Sequence, residues 1–436
     1  MMHKRVLALT LLLGTIVPVL LLGAGSSRAD DNGSSGGAVK FLKGIPVPGT
    51  TLNTTSPGKM IVFDISWVDQ ATQLYYLANR SNAVIDVINA KTDTFVRQID
   101  GKFRGFSGSN DTSGPNGVVV IGRPGHQFLI ATDANSRVVS INLQNDTIVN
   151  EVSTGGKAGL RADELAFDPA DNLLLPVNNA DSPPFATLIK VDPQTGTLTQ
   201  PQNIEGVDRI TFTDATNGAE QPQWDPGTRR FYISIPEING PGGTGPDGAV
   251  KRINPHTATV EATFAVSVCQ PAGLTVGPHG DLLVGCSVIF NSAGTAWLGL
   301  SDPNTAAPIQ VIMDAKTGTV DKMVAGVGGS DEVWFNSGDG RYYTASRANP
   351  GAVPNGTNPP TDPVLGVIDA NSKTLVQIVP TFNTPNPTSP PPRGTAHSVA
   401  VNSHNDHVFV PLPANNVFPG CQTGCIAVFG ASRNDD

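Results

Sequence analysis

The chain has 436 residues, of which 39% are hydrophobic and 15% are charged, and it contains 47 glycines and 36 prolines. This composition excludes a low-complexity disordered chain and predicts a packed, turn-rich protein with one large all-β domain or two ordinary domains. The formal net charge of −9 at pH 7 argues against nucleic acid and anionic membrane surfaces as electrostatic partners.

The amino terminus has the parts of a secretory signal peptide. Residues 1–5 carry basic side chains, residues 6–24 are an uncharged and largely apolar run, and the small residues Ser27 and Ala29 follow. This order predicts a signal peptide over residues 1–29 that is cleaved after Ala29. An uncleaved membrane anchor is the alternative, because the apolar run is long enough to span a bilayer.

The remainder divides into a spacer and one folded domain. Residues 30–37 are too polar and too rich in Gly and Ser to pack, so they predict a flexible spacer. Residues 38–436 then form the folded domain, and no stretch within them is apolar enough to cross a bilayer. We therefore expect a secreted or periplasmic protein with no membrane span after cleavage.

All four cysteines lie in the predicted folded domain, where an oxidising compartment would allow two disulfides. Four cysteines permit three pairings. We favour Cys269 with Cys286 and Cys421 with Cys425, because each pair closes a short local loop. The chain has no CxxC motif, so it gives no support for a zinc ribbon or covalently attached haem.

A seven-residue pattern recurs six times and organises the whole domain. Each copy begins with Asp or Asn, has Thr, Asn or Ser fourth and Thr sixth, and ends on an apolar residue. These features predict a tight turn between two antiparallel strands. The copies are NAKTDTF at 89, NLQNDTI at 142, DPQTGTL at 192, NPHTATV at 254, DAKTGTV at 314 and DANSKTL at 369.

Three strand-like runs precede each of these turns and one follows it, so each repeat has four short strands with the outermost after the Thr turn. Seven copies of the first run predict an all-β fold, a single seven-bladed β-propeller of four-stranded antiparallel blades. The last blade ends with residues 425–432 and lacks an outer strand. We expect residues 38–47 to supply that strand and close the ring, which removes exposed sheet edges.

The turn pattern, with runs such as residues 75–96, resembles the secreted YVTN-type β-propeller repeat family. The resemblance extends over nearly all of the folded domain and implies a propeller. It implies almost nothing about function, because propellers include enzymes, binding modules and scaffolds.

One face of this propeller is predicted to carry all the long insertions. Connections from the first to the second strand and from the third to the fourth are short, whereas the other connections are long. Function is expected on the face with the long loops. The insertions span residues 237–248, 288–308, 347–363, 383–394 and 414–424.

The same face should hold a polar residue at the start of each innermost strand, pointing toward the central channel. The default interpretation is structural, since such residues are solvated or cap a turn. The alternative is a ligand or metal centre, with oxygen ligands and with His397 as ligand or base. The predicted ligand-binding set is Asp64, Asn116, Asp163, Glu164, Gln223, Gln270, Asp331, Glu332 and His397.

Two functions follow from these features. The first is a non-catalytic binding or scaffold module that captures a protein, a glycan or a small molecule through its loop-rich face, and we expect a monomer. It is favoured by the one-sided elaboration and by the absence of GxSxG, P-loop and HExxH motifs.

The second function is a divalent-metal-dependent hydrolase. The string GPNGVVV (residues 114–120) and the acidic openings DELAFD and DEVWF resemble gluconolactonase and regucalcin-like propellers. That resemblance implies one divalent ion, with Asn116 as the amide ligand and Glu164 or Glu332 as the acidic ligand and general base. The candidate ion is Ca²⁺ or Zn²⁺, and the candidate catalytic groups are Glu164, Glu332 and, from the channel set, His397. Blade one begins FDISW, where that family has an acidic residue before a proline, so the first ligand departs from the pattern.

Overall fold

The computed structural model describes residues 37–50, 57–296, 308–350, 361–381 and 396–431. The predicted signal peptide, the predicted spacer up to residue 36 and all or part of three predicted insertions lie outside these residues. Within the described part of the chain, no helix has the length and apolar character needed to cross a membrane.

Seven antiparallel sheets form the seven blades of a β-propeller, as the sequence predicts. The first strand, β1 (Val39–Pro46), belongs to the last blade. Blade 1 comprises β2 (Ser66–Asp69), β3 (Leu74–Asn79), β4 (Val84–Asn89) and β5 (Thr94–Ile99). Blade 2 comprises β6 (Val118–Arg123), β7 (His126–Asp133), β8 (Arg137–Asn142) and β9 (Thr147–Ser153). Blade 3 comprises β10 (Leu165–Asp168), β11 (Leu173–Asn178), β12 (Phe185–Thr187), β13 (Ile189–Lys190) and β14 (Arg209–Thr211).

The remaining blades follow the same order. Blade 4 comprises β15 (Pro222–Asp225), β16 (Arg230–Ile235), β17 (Asp247–Asn254) and β18 (Thr259–Ser267). Blade 5 comprises β19 (Cys269–Val276), β20 (Asp281–Ile289), β21 (Ile309–Asp314) and β22 (Val320–Ala325). Blade 6 comprises β23 (Ser330–Asn336), β24 (Arg341–Pro350), β25 (Thr361–Asp369) and β26 (Thr374–Pro380). Blade 7 comprises β27 (Ala400–Asn402), β28 (His407–Leu412), β29 (Cys425–Ala431) and β1.

The recurring turns owe their conformation to four of their seven residues. In the turn at 89, the Asn89 side chain accepts the backbone N–H groups of Lys91 and Thr92, each at 3.0 Å. The hydroxyls of Thr92 and Thr94 are 2.9 Å apart, and the fifth residue, Asp93, has a left-handed backbone with φ of 53°. The fifth residue has a positive φ in all six turns: Asp93, Asp146, Gly196, Ala258, Gly318 and Lys373.

The ring closes through the amino-terminal strand. β1 pairs antiparallel with β29, with Val39 opposite Ala431 and Pro46 opposite Cys425. The backbone of Val39 also exchanges hydrogen bonds of 2.7 and 2.8 Å with the side chain of Gln377 in the neighbouring blade. The predicted closure is therefore confirmed.

The third blade departs from the prediction that each outer strand follows its Thr turn. After the turn at 192, pairing is limited to a bridge between Val191 and Leu198. Pro201 soon follows, and proline cannot donate a ladder hydrogen bond. The outer strand of this blade is instead β14, which pairs with β12.

Both favoured disulfides are present. Cys269 and Cys286 join the two inner strands of blade 5, with Cα atoms 5.2 Å apart. Cys421 and Cys425 close a short loop ahead of β29. Disulfides persist in oxidising compartments, so the pair indicates an extracytoplasmic protein.

Deleting residues 30–48 should strongly destabilise the propeller, because it removes β1 and exposes the edge of β29. We expect a large fall in melting temperature and a broader transition in calorimetry. A deletion of residues 30–36 serves as the control and should leave the transition unchanged. An unchanged melting temperature in the longer deletion would contradict closure by β1.

Candidate functional site

A cavity of about 220 Å³ lies where the innermost strands begin, on the face that bears the long insertions. Its lining residues come from the segments before first strands and after second strands of several blades. Six of them are buried or half-buried carboxyl groups: Asp64, Asp163, Glu164, Glu220, Asp331 and Glu332. Four are basic: Arg80, Arg161, Arg347 and His397.

Arg80 lies beside this cavity as one of the largest fully buried side chains of the described residues. Its Nη2 contacts the carboxylate of Asp64, and its Nε donates a 2.9 Å hydrogen bond to Oδ1 of Asn116. Burial lowers the pKa of Arg80, while Asp64 and Asp163 oppose that effect. The guanidinium of Arg80 is thus bonded to protein groups.

A second buried guanidinium belongs to Arg161. Its Nη2 is 2.7 Å from Oδ2 of Asp163, and its Nη1 is 3.7 Å from Oδ2 of Asp64. Burial lowers the pKa of Arg161, but Asp163 and Asp64 outweigh it and raise the pKa. Burial, reinforced by Asp64 and Glu220 and opposed by Arg161, raises the pKa of Asp163 to about 8.

His397 bridges two carboxylates across the cavity. Its Nε2 is 2.9 Å from Oδ1 of Asp64, and its Nδ1 contacts Oδ2 of Asp331. Burial lowers its pKa, but the two carboxylates prevail and raise it to about 10. At neutral pH the ring is therefore an imidazolium that donates through both nitrogens, and in this state it can act neither as a base nor as a metal ligand.

Glu164 and Glu332 form a carboxyl pair. The two side chains are within hydrogen-bond reach of each other, and burial raises the pKa of both, with Glu332 acting further on Glu164 and Asp331 on Glu332. Carboxyl groups this close share a proton, since two like charges in a desolvated site cannot both ionise. Oε2 of Glu164 is buried and accepts no hydrogen bond from the described N–H and hydroxyl groups.

Glu220 completes the acidic lining. It precedes β15, is half-buried, and bonds to the side chain of Asn179. Burial raises its pKa, Asp331 adds to the effect, and Arg161 opposes it. Sequence reasoning placed only Gln223 of this segment at the channel, although Glu220 lies three residues before it.

A wider groove of about 760 Å³ adjoins the cavity and shares Asp111, Asn179 and Glu220 with it. Residues 240–242 form one wall. Their loop is held by the carboxylate of Glu237, which accepts the backbone N–H of Gly242 at 2.6 Å and the hydroxyl of Thr216 at 2.6 Å. Burial raises the pKa of Glu237, but the hydrogen bonds that it accepts have the larger effect, so the pKa is below its ordinary value. The loop is therefore organised around a charged carboxylate.

The structure brings together most of the predicted site residues. Asp64, Asp163, Glu164, Asp331, Glu332 and His397 line the cavity. Asn116 lies behind it, bonded to Arg80 and, through Nδ2 at 2.7 Å, to the carbonyl of Ala162.

The two predicted glutamines lie elsewhere. Gln223 lines a separate, largely apolar cavity of about 260 Å³ in the channel, together with Trp67 and Trp224. Gln270 donates a 2.9 Å hydrogen bond to the carbonyl of Gly245 and so supports the groove loop. Each glutamine is the second residue of its strand, whereas Asp64 and Glu164 precede theirs.

Sequence reasoning also missed the basic residues Arg161 and Arg347. Arg347 is at the far end of β24, and its Nη1 is 3.1 Å from Oδ2 of Asp331. The signal that could have found Arg161 is its position two residues before an acidic pair at the start of a first strand. For Arg347 the sequence offers no comparable signal.

The residues present do not fit the divalent ion that the lactonase resemblance implies. Oδ1 of Asn116 accepts from Arg80, which brings a positive charge to the place of the expected ion. Among the described residues, no group of three or more His, Cys, Asp or Glu side chains is arranged to hold a metal ion. We therefore derive no chemical step through a metal.

Comparison with known proteins adds a fold likeness. No family model matches the sequence, and no curated protein matches it. The structure is similar to hydrazine synthase of Kuenenia stuttgartiensis, with a TM-score of 0.58 and 12% identity over 85% of this chain and 96% of that chain. At this identity the likeness shows the propeller fold alone, and the resemblances seen in the sequence stay predictions.

Replacing His397 by Gln should change the pH dependence of stability. The folded pKa of about 10 exceeds the ordinary value of about 6.5, so His397 stabilises fully below pH 6.5 and loses this effect as pH rises through 10. Removing one partner from a buried ion pair costs about 3–5 kcal/mol. Urea unfolding from pH 6 to 10 should show this loss at pH 6 and convergence with the unmodified protein near pH 10.

The exposed His256 provides the control for this measurement. Changing His256 to Gln should leave the pH profile unaltered. Parallel stability curves for the His397→Gln variant and the unmodified protein would show that His397 is not charged in the folded state.

Proposed function

We propose that this protein is a secreted or periplasmic binding module that takes a small polar ligand at the mouth of its propeller channel. The observation that carries the proposal is the joined cavity and groove on the loop-bearing face. Pockets for small molecules are commonly about 300–1,000 Å³, and the groove of about 760 Å³ falls in that range. The opposite face consists of short turns.

The chemistry of the groove favours a polar ligand. Its walls present amide, hydroxyl and carboxyl side chains and no aromatic ring, including Asn179, Asp181, Ser182, Thr216 and Asn217. Such a surface offers many hydrogen bonds, and its apolar part comes from small side chains and prolines such as Pro183, Pro184 and Pro241. A sugar or another small, strongly hydrogen-bonding molecule suits it better than a lipid.

The site is also built to keep its shape. The cavity walls come from separate blades, which are linked by the contacts of Arg80 with Asn116 and of Arg161 and His397 with Asp64. The groove wall is held by Glu237. A preformed site loses less entropy when a ligand binds. Rigidity of this kind favours selective binding of one small ligand.

Filling the groove should abolish binding. We expect a panel of monosaccharides, disaccharides, amino sugars and amino acids to contain a compound that raises the melting temperature by ~3 °C at about 100 times its Kd. The Ala180→Trp variant places a large ring in the groove and should remove this shift. Differential scanning calorimetry measures both.

The matched control is Ala71→Trp, in an exposed turn of the opposite face. It should keep the ligand-induced shift. If no compound binds, or if Ala180→Trp leaves binding intact, the ligand site is not this groove.

A second candidate is hydrolysis of a lactone or ester, and the Glu164–Glu332 pair favours it. A shared proton makes one carboxyl group an acid and the other a base, so one can activate water while the other protonates the leaving oxygen. The imidazolium of His397 would stabilise negative charge on the neighbouring carboxyl groups, because His397 is already protonated.

A hydrolase of this kind should turn over a lactone or ester in a spectrophotometric panel. The Glu164→Gln and Glu332→Gln variants should each lower kcat by about 10²–10⁴-fold if the pair performs the acid–base step. Assays with Ca²⁺, with Zn²⁺ and after chelation test the metal-dependent form. Absence of turnover in the unmodified protein would exclude these substrates, whereas a stoichiometric ion in elemental analysis would support the metal-dependent hydrolase.

A further inference from the structure

The cavity has more carboxyl groups than the basic side chains around it can pair. Asp64, Asp163 and Asp331 each lie within 4.0 Å of an Arg or His nitrogen. No ion pair of the described residues reaches Glu164, Glu220 or Glu332, which line the same cavity. The excess of acceptors is therefore confined to the three glutamates.

Glu164 shows the deficit most directly. The residue is 6% exposed, lines the cavity, and has a buried Oε2 that no described N–H or hydroxyl group satisfies. The proton that Glu164 and Glu332 share supplies one hydrogen bond within the pair and no positive charge. A ligand donor would therefore recover part of the free energy that burying this pair costs.

The character of the missing partner follows from what surrounds it. An anion would be repelled by the glutamates, because the basic side chains are already paired with aspartates. A metal ion would need several convergent ligands, and the described residues form no such group. A primary ammonium group carries one positive charge and three N–H donors, which suits two or three nearby carboxyl oxygens.

The two spaces of the site differ in volume and therefore suit different parts of such a ligand. The cavity of about 220 Å³ can hold an ammonium group with a few carbon atoms. The adjoining groove of about 760 Å³ can hold a larger polar body against Asn179 and Asn217. The two spaces meet at Asp111, Asn179 and Glu220.

We infer that the ligand is a polar primary amine whose ammonium group binds Glu164 and Glu332, while its uncharged polar body lies in the groove. This inference rests on the proposed binding function and specifies its ligand class. An amino sugar or an amino alcohol has the required chemistry.

The test compares matched pairs of probes by isothermal titration calorimetry at pH 7. The pairs are glucosamine with N-acetylglucosamine, ethanolamine with ethylene glycol, and putrescine with butane-1,4-diol. In at least one pair the amine should bind at least tenfold more tightly than its neutral partner. Ca²⁺ and Zn²⁺ are titrated separately and should not compete with the amine.

Two variants assign the effect to the glutamate pair. Glu164→Gln keeps the side-chain volume and should weaken amine binding at least tenfold without changing binding of the neutral partner. Asp192→Asn removes the same charge from an exposed turn of the opposite face, where Asn89 and Asn142 occupy the same turn position, and should change affinity less than threefold. Circular dichroism confirms that both variants are folded.

Several results would overturn the inference while leaving the proposed function intact. These are equal binding of amine and neutral partner at a site blocked by Ala180→Trp, binding of only neutral or acidic compounds there, and competition by a metal ion. Unchanged amine affinity in Glu164→Gln would also overturn it. Absence of binding by every compound, including those of the wider panel, would count against both the inference and the proposed function.

Discussion

Pairing of β1 with β29 is the constraint on which the rest of this structure depends. It joins residues from opposite ends of the folded chain and sets the seven first strands around one channel. The ion pair of His397 and Asp64 joins the last blade to the first across the point of closure, although the two residues are 333 positions apart in sequence. Without closure, the charged groups of the cavity would have no fixed relation to one another.

The cavity is an expensive arrangement in terms of folding free energy. Two arginines and a histidine are buried against Asp64, Asp163 and Asp331, and burying charges costs several kcal/mol each before pairing recovers part of it. Glu164 and Glu332 add a carboxyl pair without a basic partner among the described residues. Replacing buried ion pairs by apolar residues is often neutral or stabilising, so stability alone does not explain the polar lining.

The two sides of the propeller differ in how regular their connections are. The recurring turns on one side use the same side-chain hydrogen bonds and the same left-handed fifth residue, and so keep the blades uniform. The other side varies from blade to blade, and Glu237 shows how an insertion there is kept in shape by hydrogen bonds to its own backbone. The variation on this side leaves the blade architecture unchanged.

Repeats and turn chemistry in the sequence by themselves determined the blade number, the closing strand and the face of the long loops, because these depend on local patterns at a regular period. Loop length favoured one of three possible disulfide pairings, and the structure confirmed it. The prediction for the outer strand of blade 3 was wrong, because Pro201 ends the expected strand and β14, further along the chain, takes its place. Six predicted residues of the channel mouth do line the cavity. Only the tertiary structure decided that Arg80, Arg161, Arg347 and Glu220 join them and that Gln223 and Gln270 do not, because their approach depends on how separate blades pack around the channel.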